Sequence, residues 1–134
     1  METARLLLDI KAVNFRPQEP YMLTAGWASP VYIDCRWVVS FLEARRRIIT
    51  MGAELLSENV DMSKVDMLAG GETAGIPYSS WLSEELSKPM LYVRKKPKGF
   101  GRNAQIEGSM KEGAKVMLIE DLASDGGSKV NFVE

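Results

Sequence analysis

Residues 116–128 read Val-Met-Leu-Ile-Glu-Asp-Leu-Ala-Ser-Asp-Gly-Gly-Ser. An apolar run delivers two adjacent carboxylates, Glu120 and Asp121, and a glycine pair follows. In open α/β sheets, ligands bind at the carboxyl ends of the strands. Paired carboxylates there can accept hydrogen bonds from two neighbouring ribose hydroxyls. Beyond them the Gly126-Gly127 pair lets backbone N–H groups approach an anion closely. Ser124 and Ser128 add hydroxyl donors, and a helix opening near Ser128 would add its positive end. The stretch therefore reads as a site for a phosphorylated ribose. An ordinary strand–turn–helix with solvated acids is the competing reading, and the conjunction of features favours the site. A Walker-type loop fails because no lysine precedes Ser128, and no G-x-G-x-x-G follows a strand.

Two further segments could join this chemistry. Residues 94–102, Arg-Lys-Lys-Pro-Lys-Gly-Phe-Gly-Arg, pack cations around two glycines. Alone this is a solvated basic loop. Placed directly after a strand and near a phosphate signature, it reads as a mobile loop that closes over a polyanion such as pyrophosphate. Residues 70–75, Gly-Gly-Glu-Thr-Ala-Gly, leave a strand and enter a helix. They fit either a pyrophosphate cradle or a plain glycine turn.

The elements that must position these residues follow from periodicity. Leu6, Leu7, Ile10 and Val13 fall at helical spacing over residues 3–13. Residues 18–30 are rich in turn formers and are expected to wrap the surface. Residues 31–33 suit a short strand. Ser40 and Glu43 have capping-box spacing, predicting a helix whose buried side carries Ile48, Met51, Gly52 and Leu55. Arg45, Arg46 and Glu54 are expected in solvent, and the basic triplet 45–47 reads as a solvated face, not a nucleic-acid patch. A strand at 65–69, a glycine turn, a helix at 76–87 with Pro77 in its first turn, and a strand at 90–93 make a βαβ unit with parallel pairing. Further strands are expected at 104–107 and 115–119, and a helix opens at 128–134. So short a terminal helix suggests a chain shorter than its fold.

Composition narrows the function classes. The 134 residues are 46% hydrophobic with a net charge of −1, as expected of one globular domain with no general attraction to nucleic acid or anionic membrane. No apolar run matches a signal peptide or a membrane span. The single cysteine, Cys35, excludes an intrachain disulfide and suits a reducing, cytoplasmic setting. The absence of histidine excludes a Ser-His-Asp triad and a His-based zinc site.

Together the segments resemble the type I phosphoribosyltransferases, most closely their orotate-using branch. Residues 23–34, Leu-Thr-Ala-Gly-Trp-Ala-Ser-Pro-Val-Tyr-Ile-Asp, resemble the N-terminal substrate-side segment. Residues 70–77 resemble the pyrophosphate loop, and residues 119–128 the phosphoribosyl pyrophosphate (PRPP) motif. Residues 92–108, from Tyr92 through Arg94-Lys-Lys-Pro-Lys98 to Gly108, are the most specific match.

The resemblance implies one α/β domain over 1–134, a parallel sheet flanked by helices, with the C-terminal part of the fold missing. Residues 1–40 would be the substrate-side segment, 94–108 the mobile catalytic loop and 116–128 the PRPP motif. It implies transfer of the 5-phosphoribosyl group from PRPP to orotate, with Mg2+ bound mainly through PRPP and no protein metal ligand. Glu120 and Asp121 would hold the ribose, Ser124 to Ser128 the 5′-phosphate, and Leu122 and Ala123 would also contact PRPP. Arg94, Lys95, Lys98, Thr73 and Ala74 would also contact PRPP. Lys98 and Asp121 would be catalytic, and Ser124, Tyr32 and Ile33 would line orotate.

A homodimer sharing its active sites is implied. Departures occur at Phe100, where many members have histidine, at Thr24 and Ala74, where lysine occurs, and at Ala123, often threonine. The family also continues past the PRPP loop to an arginine for the orotate carboxylate. Two other readings stay open: a PRPP- or nucleotide-binding module without turnover, and a transferase acting on a purine base.

Overall fold

The computed structural model describes residues 2–23, 25–99, 101, 104–123 and 126–133, with Ser128 and Asn131 described by backbone alone. The chain forms two compact units, Met1–Ile48 and Ile49–Glu134.

In the first unit, helix α1 spans Glu2–Asp9 and is shorter than its apolar spacing predicts. Lys11 turns into the left-handed region at φ 58°, while Lys11 and Ala12 N–H groups cap the Leu8 and Leu7 carbonyls. That turn ends the helix and releases β-branched Val13 into strand β1 (Val13–Phe15). β1 pairs antiparallel with β4 (Val31–Ile33), Val13 opposite Ile33. The segment expected to wrap the surface is largely exposed among its described residues and contains a two-rung hairpin, β2 (Tyr21–Met22) against β3 (Ala28–Ser29). Asp34 caps the 3-10 helix Cys35–Ser40 by accepting the Arg36 N–H.

Helix α2 (Leu42–Asn59) follows, starting later than a Ser40 cap would place it; Glu43 pairs with Arg46 instead. Its buried positions are Ala44, Ile49 and Ala53, whereas Leu55, expected inside, is 62% exposed. The basic triplet is a surface feature. Arg45 donates to the Val39 carbonyl, Arg46 pairs with Glu43, and Arg47 forks onto Glu2. That hydrogen-bonded fork holds the Glu2 carboxyl below the usual carboxylate range.

The second unit holds the sheet. Its strands are β5 (Met67–Gly71), β6 (Met90–Val93), β7 (Ile106–Glu107) and β8 (Val116–Ile119), in the order β7-β6-β5-β8. β5 pairs parallel with both β6 and β8, and β7 closes one side antiparallel to β6. Helix α3 (Gly75–Glu85) joins β5 to β6, with Tyr78 and Leu82 buried. The alternation of the pleat places Ala69, Leu91 and Val93 in one cluster. Met67, Leu118 and Phe132 of helix α4 (Gly127–Val133) pack against it. Among the described residues no helix is long and apolar enough to cross a membrane.

β5 corrects the sequence reading most. It starts at Met67, not Val65, because Val65 ends a 3-10 turn over Met62–Lys64. It also runs through Gly70 and Gly71, which are strand and not turn. A Cβ on Gly70 would lie 2.6 Å from the Gly75 carbonyl oxygen, and one on Gly71 would meet Phe132 at 2.6 Å and the Glu120 carboxylate. These glycines let the start of α3 and the far side of the sheet close onto β5. β7 is shorter than the predicted 104–107, although the Arg94 N–H donates to the Gln105 carbonyl beyond it.

Candidate functional site

Because β5, β6 and β8 are parallel, their carboxyl ends share one edge. Three loops leave it: residues 72–74 toward α3, the basic segment after Val93, and the acidic pair after Ile119. Hydrogen bonds tie the first two together. The Glu72 N–H donates to the Val93 carbonyl at 2.8 Å, and the Glu72 carboxylate accepts the Lys95 N–H at 2.9 Å. Thr73 is exposed and Ala74 half-buried beside it, and the Glu72–Thr73 peptide is cis.

Glu120 joins the third loop to the first. Its side chain is 15% exposed, and its Oε2 receives Lys129 Nζ from α4 at 2.9 Å. Its Oε1 is buried with no hydrogen-bond partner. The same oxygen lies where a Cβ on Gly71 or Gly75 would stand. A buried carboxylate oxygen without a donor is costly unless a ligand supplies one. Asp121 follows at half-burial, with no side-chain partner among the described residues, so its carboxylate is available to a second donor.

The remaining sequence-predicted residues are placed unevenly. Gly126 takes the left-handed conformation at φ 81°, and Gly127 opens α4. Leu122 and Ala123 are exposed. Ser124, Asp125 and the Ser128 side chain lie outside the described residues. Arg94 and Lys98 face Glu107 of β7, Lys98 at 2.9 Å and Arg94 at 4.0 Å. In the first unit, Tyr32 and Ile33 lie on β4. Tyr32 packs on Tyr21 at 5.3 Å between ring centroids, and its hydroxyl accepts from Arg36 at 3.1 Å.

Sequence reasoning missed three residues: Glu72, Glu107 and Lys129. Glu72 stood inside a glycine motif, Glu107 at the end of a predicted strand, and Lys129 one place beyond the serine that closes the PRPP motif. Each acts through a partner distant in the chain, and no local spacing announces that.

The assembled edge offers an acidic pair for a diol, a glycine cradle crossed by a buried carboxylate, and cations on the adjoining hairpin. That inventory suits a sugar carrying several phosphates.

Known proteins are similar to the chain in sequence and in fold. No family model matches the chain. Orotate phosphoribosyltransferase of Cereibacter sphaeroides is 54% identical over 132 residues, covering 98% of this chain and 57% of that protein. The crystal structure of orotate phosphoribosyltransferase from Aeropyrum pernix matches with a TM-score of 0.79 at 26% identity, over 98% of this chain and 70% of that one. The Mycobacterium tuberculosis orotate phosphoribosyltransferase in complex with PRPP has the same fold, with a TM-score of 0.68 at 23% identity over 98% and 70% of the two chains. The chain thus spans little more than half the length of the curated relative it matches. Over nearly its whole length the chain is similar in sequence to orotate phosphoribosyltransferases, and it has the type I phosphoribosyltransferase fold.

Proposed function

We propose that the chain binds PRPP at the shared edge of β5, β6 and β8 and transfers its 5-phosphoribosyl group to orotate, giving orotidine 5′-phosphate and pyrophosphate in UMP biosynthesis. The observation that carries this is Glu120: a carboxylate buried at the strand end, one oxygen on Lys129 and the other without a donor. A ribose hydroxyl supplies that donor, and Asp121 accepts from its neighbour. Residues 116–128 then act as the PRPP motif, with Ser124 to Ser128 on the 5′-phosphate and Leu122 and Ala123 also against PRPP. Thr73 and Ala74 belong to the pyrophosphate cradle, beside Arg94 and Lys95.

In the reaction the bond from ribose C1 to a pyrophosphate oxygen breaks, a bond to the ring nitrogen of orotate forms, and that nitrogen gives up its proton. Asp121 and Glu120 hold the ribose as positive charge develops on it. Lys98, on the loop 94–108 that closes over the leaving group, balances the charge gathering on pyrophosphate. Tyr32, Ile33 and Ser124 are the residues this reading gives to orotate, with 1–40 as the substrate-side segment.

Magnesium suits the donor set as an ion carried on PRPP oxygens, because one acid of the pair is already committed to Lys129. When bound, it neutralises pyrophosphate. A homodimer sharing its loops, working in the cytoplasm, completes the reading.

The test is PRPP-dependent loss of orotate absorbance with the purified chain, beside a light-scattering mass. Turnover supports the reading; a folded dimer with no turnover at any concentration sinks it. Calorimetric PRPP binding without turnover supports the binding-module alternative. A panel of bases decides against or for a purine substrate.

Lys129→Met removes the counter-charge from Glu120. It is expected to weaken PRPP binding by about three- to ten-fold, as a partly shielded ion pair on the order of 1 kcal/mol would. Lys129→Arg should restore most of it, and calorimetry on both variants checks this.

A further inference from the structure

Glu107 faces the two cations that PRPP is expected to need. Lys98 Nζ lies 2.9 Å from its Oε1, and Arg94 Nη1 4.0 Å from the same oxygen. The hairpin that carries all three is fixed by hydrogen bonds at its base. The Arg94 N–H donates to the Gln105 carbonyl at 2.8 Å, the Gln105 amide returns to the Arg94 carbonyl at 3.2 Å, and the Lys98 N–H reaches the Ala104 carbonyl at 3.3 Å. Glu107 itself sits on β7 opposite Tyr92 of β6. The three side chains are 25–38% exposed, partly shielded yet within reach of a solute.

The arrangement leaves a donor of Arg94 unused. Arg94 Nε is buried and has no hydrogen-bond partner. A guanidinium beside a carboxylate ordinarily forms two parallel hydrogen bonds, and here Arg94 stands at the limit of ion-pair distance with one donor unused. A phosphate presents several oxygens and can satisfy that donor and Lys98 together.

We propose that Glu107 is an internal counter-anion: it holds Arg94 and Lys98 while the site lacks substrate, and the pyrophosphate oxygens of PRPP displace it from both. The proposal rests on the reading of this edge as a PRPP site. Half-buried Arg94 and exposed Lys98 would repel each other without an anion between them. Glu107 keeps them in place and offsets their charge. Every incoming phosphate must then compete with it, so the carboxylate organises the cations at the expense of affinity. After transfer it recovers the cations and favours release of pyrophosphate.

The sign of this effect separates a counter-anion from a scaffold. Titration calorimetry with inorganic pyrophosphate and with PRPP is run on the full chain and on Glu107→Gln. The variant is expected to bind pyrophosphate about three- to ten-fold more tightly, the scale of one exposed to half-buried ion pair. Adding Lys98→Met to Glu107→Gln should abolish the gain. Glu107→Asp keeps the charge but withdraws it by one methylene. It should give a smaller gain, and serves in place of Glu107→Gln if that variant does not fold. Equal or weaker binding by the folded variants, with the unaltered chain binding normally, overturns the counter-anion and leaves the PRPP site standing. Absence of binding by the unaltered chain and the variants alike overturns both.

Discussion

Asp121→Ala is expected to weaken PRPP binding by about 10–100-fold, the equivalent of one charge-assisted hydrogen bond of roughly 1.5–3 kcal/mol, while the melting temperature stays nearly unchanged. The asymmetry comes from what each acid of the pair touches. Glu120 lies against Gly71 and Gly75 and is held by Lys129, so altering it disturbs packing as well as binding. Asp121 has no side-chain partner among the described residues, so its loss breaks no contact there. Asp121→Asn keeps the shape and one acceptor, and should fall at the lower end of the range. Calorimetry with PRPP and a thermal melt on the same samples check both halves. Unchanged affinity in Asp121→Ala would remove the ribose from this strand end.

The acidic pair could be read from sequence because it is contiguous and sits at the end of an apolar run. The same is true of β6, which occupies the predicted 90–93, and of β8, which begins one residue later than expected. These strands carry their own signal in β-branched and large apolar side chains. Elements that depend on small residues were harder to place. Ala44 and Ala53 add little hydrophobic weight, so the expected face of α2 passed them over; of its members Ile48, Met51 and Gly52 are half-buried and Leu55 alone is exposed.

Glycine posed the sharper difficulty. A Gly-Gly pair announces a turn when only backbone freedom is considered, and it equally marks a place where two other elements press close. At Gly70 and Gly71 the second cause operates, and it can be seen only when α3, Phe132 and Glu120 are in position. The same limit hid Glu107 and Lys129. Their partners are brought to them by the β6–β7 hairpin and by the return of α4 to β8, which local spacing does not encode.

Gly71→Ala should therefore damage both the fold and the site. Its Cβ would stand 2.6 Å and 2.8 Å from two ring carbons of Phe132 and against the Glu120 carboxylate. Phe132 cannot simply swing away, because it packs on the Ala69, Leu91 and Val93 cluster. Glu120 can move only by giving up Lys129. Overpacking of this kind costs about 1–3 kcal/mol, which for a unit of this size lowers Tm by roughly 5–15 °C. PRPP binding should fall with it, since Glu120 is the group displaced. Gly52→Ala is the matched control. It lies within α2, and its Cβ would make an ordinary 3.5 Å contact with Leu82. Alanine there favours the helix by up to about 1 kcal/mol, so this variant should melt at or above the parent temperature. Parallel melts by circular dichroism decide the matter. If Gly71→Ala melts with the parent and binds PRPP as tightly, the close approach of Glu120 and Phe132 to β5 does not set the geometry of the site.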